Sequence, residues 1–308
     1  MALLVAAALP FIVGLTVFET IGYRHLLEER GKYHHMEALT LARALDQAAD
    51  AVGGQIHTWL AAQPALGEFT VARNRETAGL PGERIVAETR RLEALWPTLP
   101  EDDPLLTGVL WNPGAESLAR FQSLNPAVAE ILATDVHGRL IAATGKSSDF
   151  DQADEDWWRK GAALGKGQVW TDILRFDASS EVFSLDVIVP LHQGGALAGV
   201  VKVSVDVTSL FGGLAFDGGA AGERWEIVLP DGLVLASSRG GFVPGGKRFP
   251  QEAVRRMGVQ GHGWMVTDYP DEDRRLTGFV TLGPETGTES AHVLFSSRRE
   301  DVVAPLQR

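Results

Sequence analysis

Between residues 45 and 59 the apolar side chains return at alternating spacings of four and three: Leu45, Ala49, Val52, Ile56 and Trp59. This heptad-like seam predicts a long helix reaching about residue 66. The seam has two possible partners, the core of the chain's own domain or the same seam on a second copy. Gly53-Gly54 falls inside it. Each glycine weakens a helix by about 1 kcal/mol, so a bend or a close approach of a neighbouring element is expected there.

Residues 67–125 carry Pro and Gly breaks and a short amphipathic helix, ERIVAETRRLEALW, at 83–96. Beyond them the period changes to that of strands. Glu130-Ile-Leu-Ala-Thr-Asp135 and Gly138-Arg-Leu-Ile-Ala-Ala-Thr144 read as a hairpin around an Asp-x-x-Gly turn. The same phrase returns as Glu226-Ile-Val-Leu-Pro-Asp231 and Gly232-Leu-Val-Leu-Ala-Ser-Ser238, its turn two residues shorter. Gly167-Gln-Val-Trp-Thr-Asp172 likewise returns as Gly263-Trp-Met-Val-Thr-Asp268, and 226 − 130 and 263 − 167 both equal 96. Two matches at one offset indicate a duplicated module. Each copy runs hairpin, helix, further strands, which is an α+β unit on an antiparallel sheet. The glycine-rich FGGLAFDGGAAG at 211–222 reads as the connection between copies.

In Val182-Phe-Ser-Leu-Asp-Val-Ile188, alternation puts Phe183, Leu185 and Val187 on one face and Ser184 with Asp186 on the other. Val201, Val203 and Val205 oppose Lys202, Ser204 and Asp206 in the same way. A three-residue loop, Gln193-Gly194-Gly195, would align the polar faces and set Asp186 opposite Lys202, whereas a two-residue loop would slip the register by one. One face then suits the long helix, and the other is either a solvated face or a pocket floor, flanked by Trp170 and Asp172.

The N-terminus is uncharged from Ala2 to Phe18, with only Glu19 before Arg24. It is long enough to span a bilayer, and it lacks a basic leader and a clear cleavage site, so an uncleaved anchor over 1–23 is expected. Arg24, Arg30 and Lys32 all follow it, which by the positive-inside rule alone would hold the rest of the chain in the cytoplasm.

The 308 residues, 45% of them hydrophobic, suffice for two cores. A formal charge of −12, from 28 basic and 40 acidic residues, speaks against nucleic-acid binding. With no cysteine there are no disulfides and no thiol chemistry. No catalytic elbow, zinc motif or phosphate-binding loop occurs, so an enzyme, a metal site and a cofactor are not expected. Asp271-Glu272-Asp273 lacks calcium-loop spacing and reads as a hairpin tip.

Anchor, long helix and two tandem α+β modules resemble the double Cache sensor, the extracytoplasmic ligand-sensing region of bacterial chemoreceptors, sensor kinases and cyclic-dinucleotide enzymes. The resemblance rests on ATDVHGRLIAATG at 133–145, DEDWWRKG at 154–161, VWTD at 169–172 and GALAGVVKVSVDVTSL at 195–210. It implies an anchor at 1–23, a stalk helix at 24–66, a membrane-distal PAS-like module at 67–213, a membrane-proximal one at 222–298, and a tail at 299–308 leading towards a second membrane helix. It also implies an inner-membrane homodimer with its sensor region in the periplasm or outside the cell, and any catalytic output in a segment or chain beyond this sequence. A membrane-tethered dimerisation module without ligand is the rival reading.

Amino-acid-binding members of that family close the distal pocket with a helix carrying Arg-x-Trp-Tyr, whose cation holds the ligand carboxylate. Here the corresponding run is Glu155-Asp156-Trp157-Trp158. The ligand-binding residues expected on this basis are Trp157, Trp158, Trp170, Asp172, Ser184, Asp186, Lys202 and Asp206. With Glu155 in the place of the cation and acids outnumbering bases, a cationic or neutral small molecule is expected.

Overall fold

The computed structural model describes residues 2–177, 182–206, 222–239, 248–269, 274–282 and 291–304, with side chains described from residue 21 onward but not at 172–177 and 182–183. A single helix, α1, runs Ala2–Ala61. The break falls earlier than residue 66, because Pro64 has no N–H to continue the ladder. The N–H groups of Ala62 and Gln63 close α1 onto Trp59 O and Leu60 O, and Pro64 opens α2, Pro64–Thr77. Three more helices follow: α3 Gly82–Leu95, which tightens into a 3-10 turn at Trp96–Thr98, α4 Pro104–Leu110 and α5 Pro113–Leu124. The last two start on capping side chains, Asp103 accepting from Leu105 N and Asn112 from Ala115 N.

The chain divides into two compact units, 46–213 and 1–45 with 214–308, so α1 contributes residues to both. In the first, β1 Val128–Thr134, β2 Leu140–Ala143, β3 Trp170–Asp177, β4 Val182–Gln193 and β5 Ala196–Asp206 form an antiparallel sheet in the order β2-β1-β5-β4-β3. The helix α6, Asp156–Ala163, lies between β2 and β3 in sequence. In the second unit, β6 Arg224–Val228, β7 Val234–Ser237, β8 His262–Thr267, β9 Arg275–Leu282 and β10 Ala291–Arg298 repeat the pattern in the order β7-β6-β10-β9-β8. There α7, Gln251–Gln260, takes the place of α6, and α8, Arg299–Val303, follows the last strand. The duplication read from the offset of 96 is thus a duplication of topology.

It extends to the turns. Gly138 and Gly232 both take φ +85°, where a side chain is strained, and each hairpin is closed by a bridge to the segment that follows, Arg139 to Asp151 and Leu233 to Arg248. Asp135 and Asp231 accept from backbone N–H groups of their turns.

The β4–β5 hairpin differs from expectation. Its loop is the two-residue Gly194-Gly195, both glycines at positive φ, with Gln193 facing Ala196. That loop alone would put the charged residues on the wrong face. A bulge between Leu191 and His192 restores the parity, so Ser184 faces Asp206, Asp186 faces Ser204 and Ile188 faces Lys202. Asp186 therefore does not stand opposite Lys202. The two polar faces nevertheless coincide.

On the apolar face Val187, Val201, Val203, Ile131 and Ala133 are fully buried. Gly53 of α1 lies against this region, where an added Cβ would meet Val169, Thr171 and Val187 at 3.5–4.0 Å. Within this unit Ala49 and Ile56 are buried and Trp59 stacks on Phe121 with ring centroids 4.0 Å apart. The seam on α1 thus packs into the chain's own core, and the glycine pair serves close packing without interrupting the helix. In the other unit α1 and the sheet approach so closely that a Cβ at Gly278 would meet the backbone of His34 and His35.

Among the described residues no helix is long and apolar enough to cross a membrane. The anchor expected at 1–23 falls mainly on residues 1–20, whose side chains lie outside the described set. The connection at 211–221 and the acidic turn at 271–273 also lie outside it.

Candidate functional site

Trp157 and Gly161, four residues apart, form the face that α6 turns to the sheet, since i and i+4 share one side of a helix. Trp157 is 4% exposed and packs on Ile188 and Val200. Gly161 lets the helix approach: a Cβ there would come within 2.6 Å of Ile188 Cγ2. Trp158, one position round, is half-buried and donates its indole N–H to Thr134 Oγ1 at 2.9 Å. Both adjacent tryptophans are thus held by the module, one by packing and one by a hydrogen bond.

Beside Trp157 the sheet turns polar. Glu130, Ser184, Asp186, Lys202 and Ser204 share the face covered by α6, and all are buried, the acids at 4% and 6% exposure and Lys202 at 9%. Ser184 Oγ donates to Asp186 Oδ1 at 2.8 Å, and Lys202 Nζ lies 3.9 Å from Asp186 Oδ2. The same ammonium sits 5.8 Å from the Trp157 ring centroid, within cation–π range. Lys160 of α6 stands 4.1 Å above the ring of Trp170, which is itself half-buried. Asp206 is half-buried across from Ser184. Asp172 stands across from Asp186 in the β3–β4 ladder, and its side chain lies outside the described set.

Glu130 was not among the expected residues. It lies on β1 across from Ser204, in a pairing between strands far apart in sequence that hairpin spacing does not reveal. The one available signal was its repetition 96 positions later as Glu226. Glu226 is also buried, accepts from Tyr269 Oη at 2.7 Å and lies 3.4 Å from Arg224 Nε. Burial, with Glu226 beside it, holds the Tyr269 hydroxyl well above its ordinary range. Each unit therefore carries charged side chains inside its sheet.

Ionised groups taken out of water cost several kcal/mol each unless they are paired or hydrogen-bonded. Among the described side chains of the unit of 46–213 the buried cluster holds the carboxyls of Glu130 and Asp186 and the ammonium of Lys202; Asp172 and Arg175, across from Asp186 and Ser184, stand on the same face with side chains outside the described set. Among the described residues no group of three or more His, Asp or Glu could hold a metal ion.

No protein-family model matches the chain, and no curated protein matches it. Solved structures do. The chain is similar to a histidine-kinase extracellular domain designated vpHK1S-Z8, with 15% identity, 92% of this chain and 97% of that one covered, and a TM-score of 0.49. It is similar to the ligand-binding domain of the Pseudomonas fluorescens chemoreceptor CtaA in complex with L-serine, with 15% identity, 85% and 99% covered, and a TM-score of 0.41. The ligand-binding domain of the Campylobacter jejuni chemoreceptor Tlp3 in complex with L-norvaline gives 13% identity, 85% and 96% covered, and a TM-score of 0.46.

Proposed function

We propose that this chain is the sensor region of a bacterial transmembrane signalling receptor and that its unit of residues 46–213 binds a small cationic or neutral molecule on the polar sheet face beneath α6. The observation that carries the reading is the cluster of Glu130, Ser184, Asp186, Lys202 and Ser204, buried next to Trp157 and acid-rich among the described side chains. A scaffold gains more from apolar residues of the same volume at such positions than from a charged cluster. Kept charges are worth their cost where they recognise something. Glu130 and Asp186 would receive an amine or hydrogen-bond donor, and the indoles of Trp157, Trp158 and Trp170 would enclose its apolar part.

The apolar start of the chain would anchor it in the inner membrane, with the sensor region in the periplasm or outside the cell. Because α1 has residues in both units, a ligand that favours one arrangement of the sheet and helix would bias the whole element. Output would then depend on that difference in affinity.

A thermal-shift panel of amines, amino acids and simple carboxylic acids on the full chain tests this. At a hundred times the dissociation constant a bound ligand stabilises by about 2.7 kcal/mol, which gives a clear melting shift. Stabilisation by carboxylic acids with no response to amines would overturn the charge argument. A response to an amine or neutral compound that Trp158→Ala leaves untouched would move the site elsewhere.

A further inference from the structure

We propose a second small-molecule site in the unit of residues 46–213, a cavity of about 390 Å³ bounded by the end of α1, the start of α2 and the outer end of β4. It shares no residue with the polar cluster beneath α6. Its volume falls in the roughly 300–1,000 Å³ range of small-molecule sites.

The chemistry of the lining points to a monocarboxylate with an apolar body. Leu60, Val189 and Leu191 supply the apolar wall. The polar groups are weighted towards donors. The Gln63 amide oxygen is taken by Ser117 Oγ at 3.0 Å, so its NH₂ is the end it can offer to a guest. Lys166 brings an ammonium to the rim. His192 lines the same cavity with a buried Nδ1 that has no hydrogen-bond partner among the described residues.

The ring nitrogen open to a guest is Nε2, and with the Nε2–H tautomer His192, Gln63 and Lys166 together present three donors, the set that an oxygen pair without protons of its own satisfies. Glu68 is the one carboxylate of the lining and is exposed, so water screens its repulsion. The two sites of the unit then differ in preference: the cluster under α6 is read for a cationic or neutral guest, and this cavity accepts a carboxylate.

The test is a melting and calorimetric titration of the full chain with hexanoate and phenylacetate, each beside its neutral amide. The acids are expected to stabilise saturably and the amides much less. Binding should survive in Trp158→Ala and Asp186→Asn. It should weaken by about tenfold or more in His192→Phe, the loss of one charge-assisted hydrogen bond. Lys166→Ala, at an exposed position that leaves the fold intact, should weaken it several-fold and so keeps the test decisive if His192→Phe fails to fold. Absence of binding by both acids, equal binding of acids and amides, or binding lost in Asp186→Asn but kept in Lys166→Ala would each overturn the proposal.

Discussion

Asp186 and Lys202 form a buried ion pair, with 3.9 Å between Oδ2 and Nζ, although neither stands opposite the other in the ladder. Asp186 faces Ser204 and Lys202 faces Ile188, so the contact runs diagonally, a separation that only a long side chain spans. The same ammonium lies 5.8 Å from the centroid of the Trp157 ring. Lys202→Met would strip this cation from a face that holds Glu130 and Asp186, and should cost about 3–5 kcal/mol in urea denaturation. Adding Asp186→Asn should recover a substantial part of that loss. Additive losses in the double variant would show that the two side chains are not coupled.

Two helical glycines should respond in opposite directions to alanine. At Gly161 the new methyl would meet Val200 Cγ1 and Ile188 Cγ2 inside normal contact distance, so Gly161→Ala should destabilise by roughly 1–3 kcal/mol. At Gly53 the nearest atoms would be 3.5 Å away, an ordinary contact, and the helix propensity of alanine should add about 0.5–1 kcal/mol. Denaturant midpoints of the two variants check both signs, and a stabilised Gly161→Ala would refute the packing of α6.

The unit of residues 1–45 and 214–308 should lose stability in mild acid. Burial pushes the His34 and His292 imidazoles down to about 4, with Arg30 and Arg275 adding to the effect at His34. The unfolded chain binds these protons near pH 6.5 and the folded chain does not until about pH 4, so stability is full above 6.5, falls from 6.5 to 4 and levels below. The loss is at most about 3 kcal/mol for each imidazole. His292 is held at Nδ1 by Thr281 Oγ1, 2.9 Å away, and His292→Gln should flatten part of the slope in a melting series from pH 7 to 4. An unchanged slope would assign the acid loss to carboxylates instead.

The fold was legible where the signal was local. Hydrophobic period gave the long helix, the helix at 83–96 and the hairpins, and repetition at a fixed offset gave the second module before any contact was known, whereas α2, α4 and α5 were not read from the Pro- and Gly-broken stretch. Pro64 marks how a single residue outweighs a seam: the apolar spacing continues past it, but a missing N–H ends the helix. The β4–β5 hairpin shows a subtler limit. A bulge at Leu191/His192 has no sequence signature as clear as the Gly194-Gly195 loop it compensates, so the faces could be read but the partners could not.

The site divides in the same way. The candidates Trp157, Trp158, Trp170, Asp172, Ser184, Asp186, Lys202 and Asp206 come from motif and alternation, which operate within one element. Glu130 does not, because its place beside Ser204 depends on β5 crossing back between β1 and β4. The donors of the cavity by α2 were invisible for the same reason: residues 63, 166 and 192 meet only in the folded chain.

The most direct measurement is a two-dimensional ¹H–¹⁵N spectrum of the eight tryptophan indoles, assigned by single substitution, during titration with the amines and neutral compounds of the panel. The Trp158 indole N–H, bonded to Thr134, and those of Trp157 and Trp170 report on the polar face, while Trp225 and Trp264 belong to the other unit. The account predicts that at least one amine or neutral compound shifts the Trp157, Trp158 and Trp170 signals saturably, leaves Trp225 and Trp264 in place, and loses this effect in Asp186→Asn. A panel in which those three signals stay fixed, or move only with carboxylic acids, would contradict it.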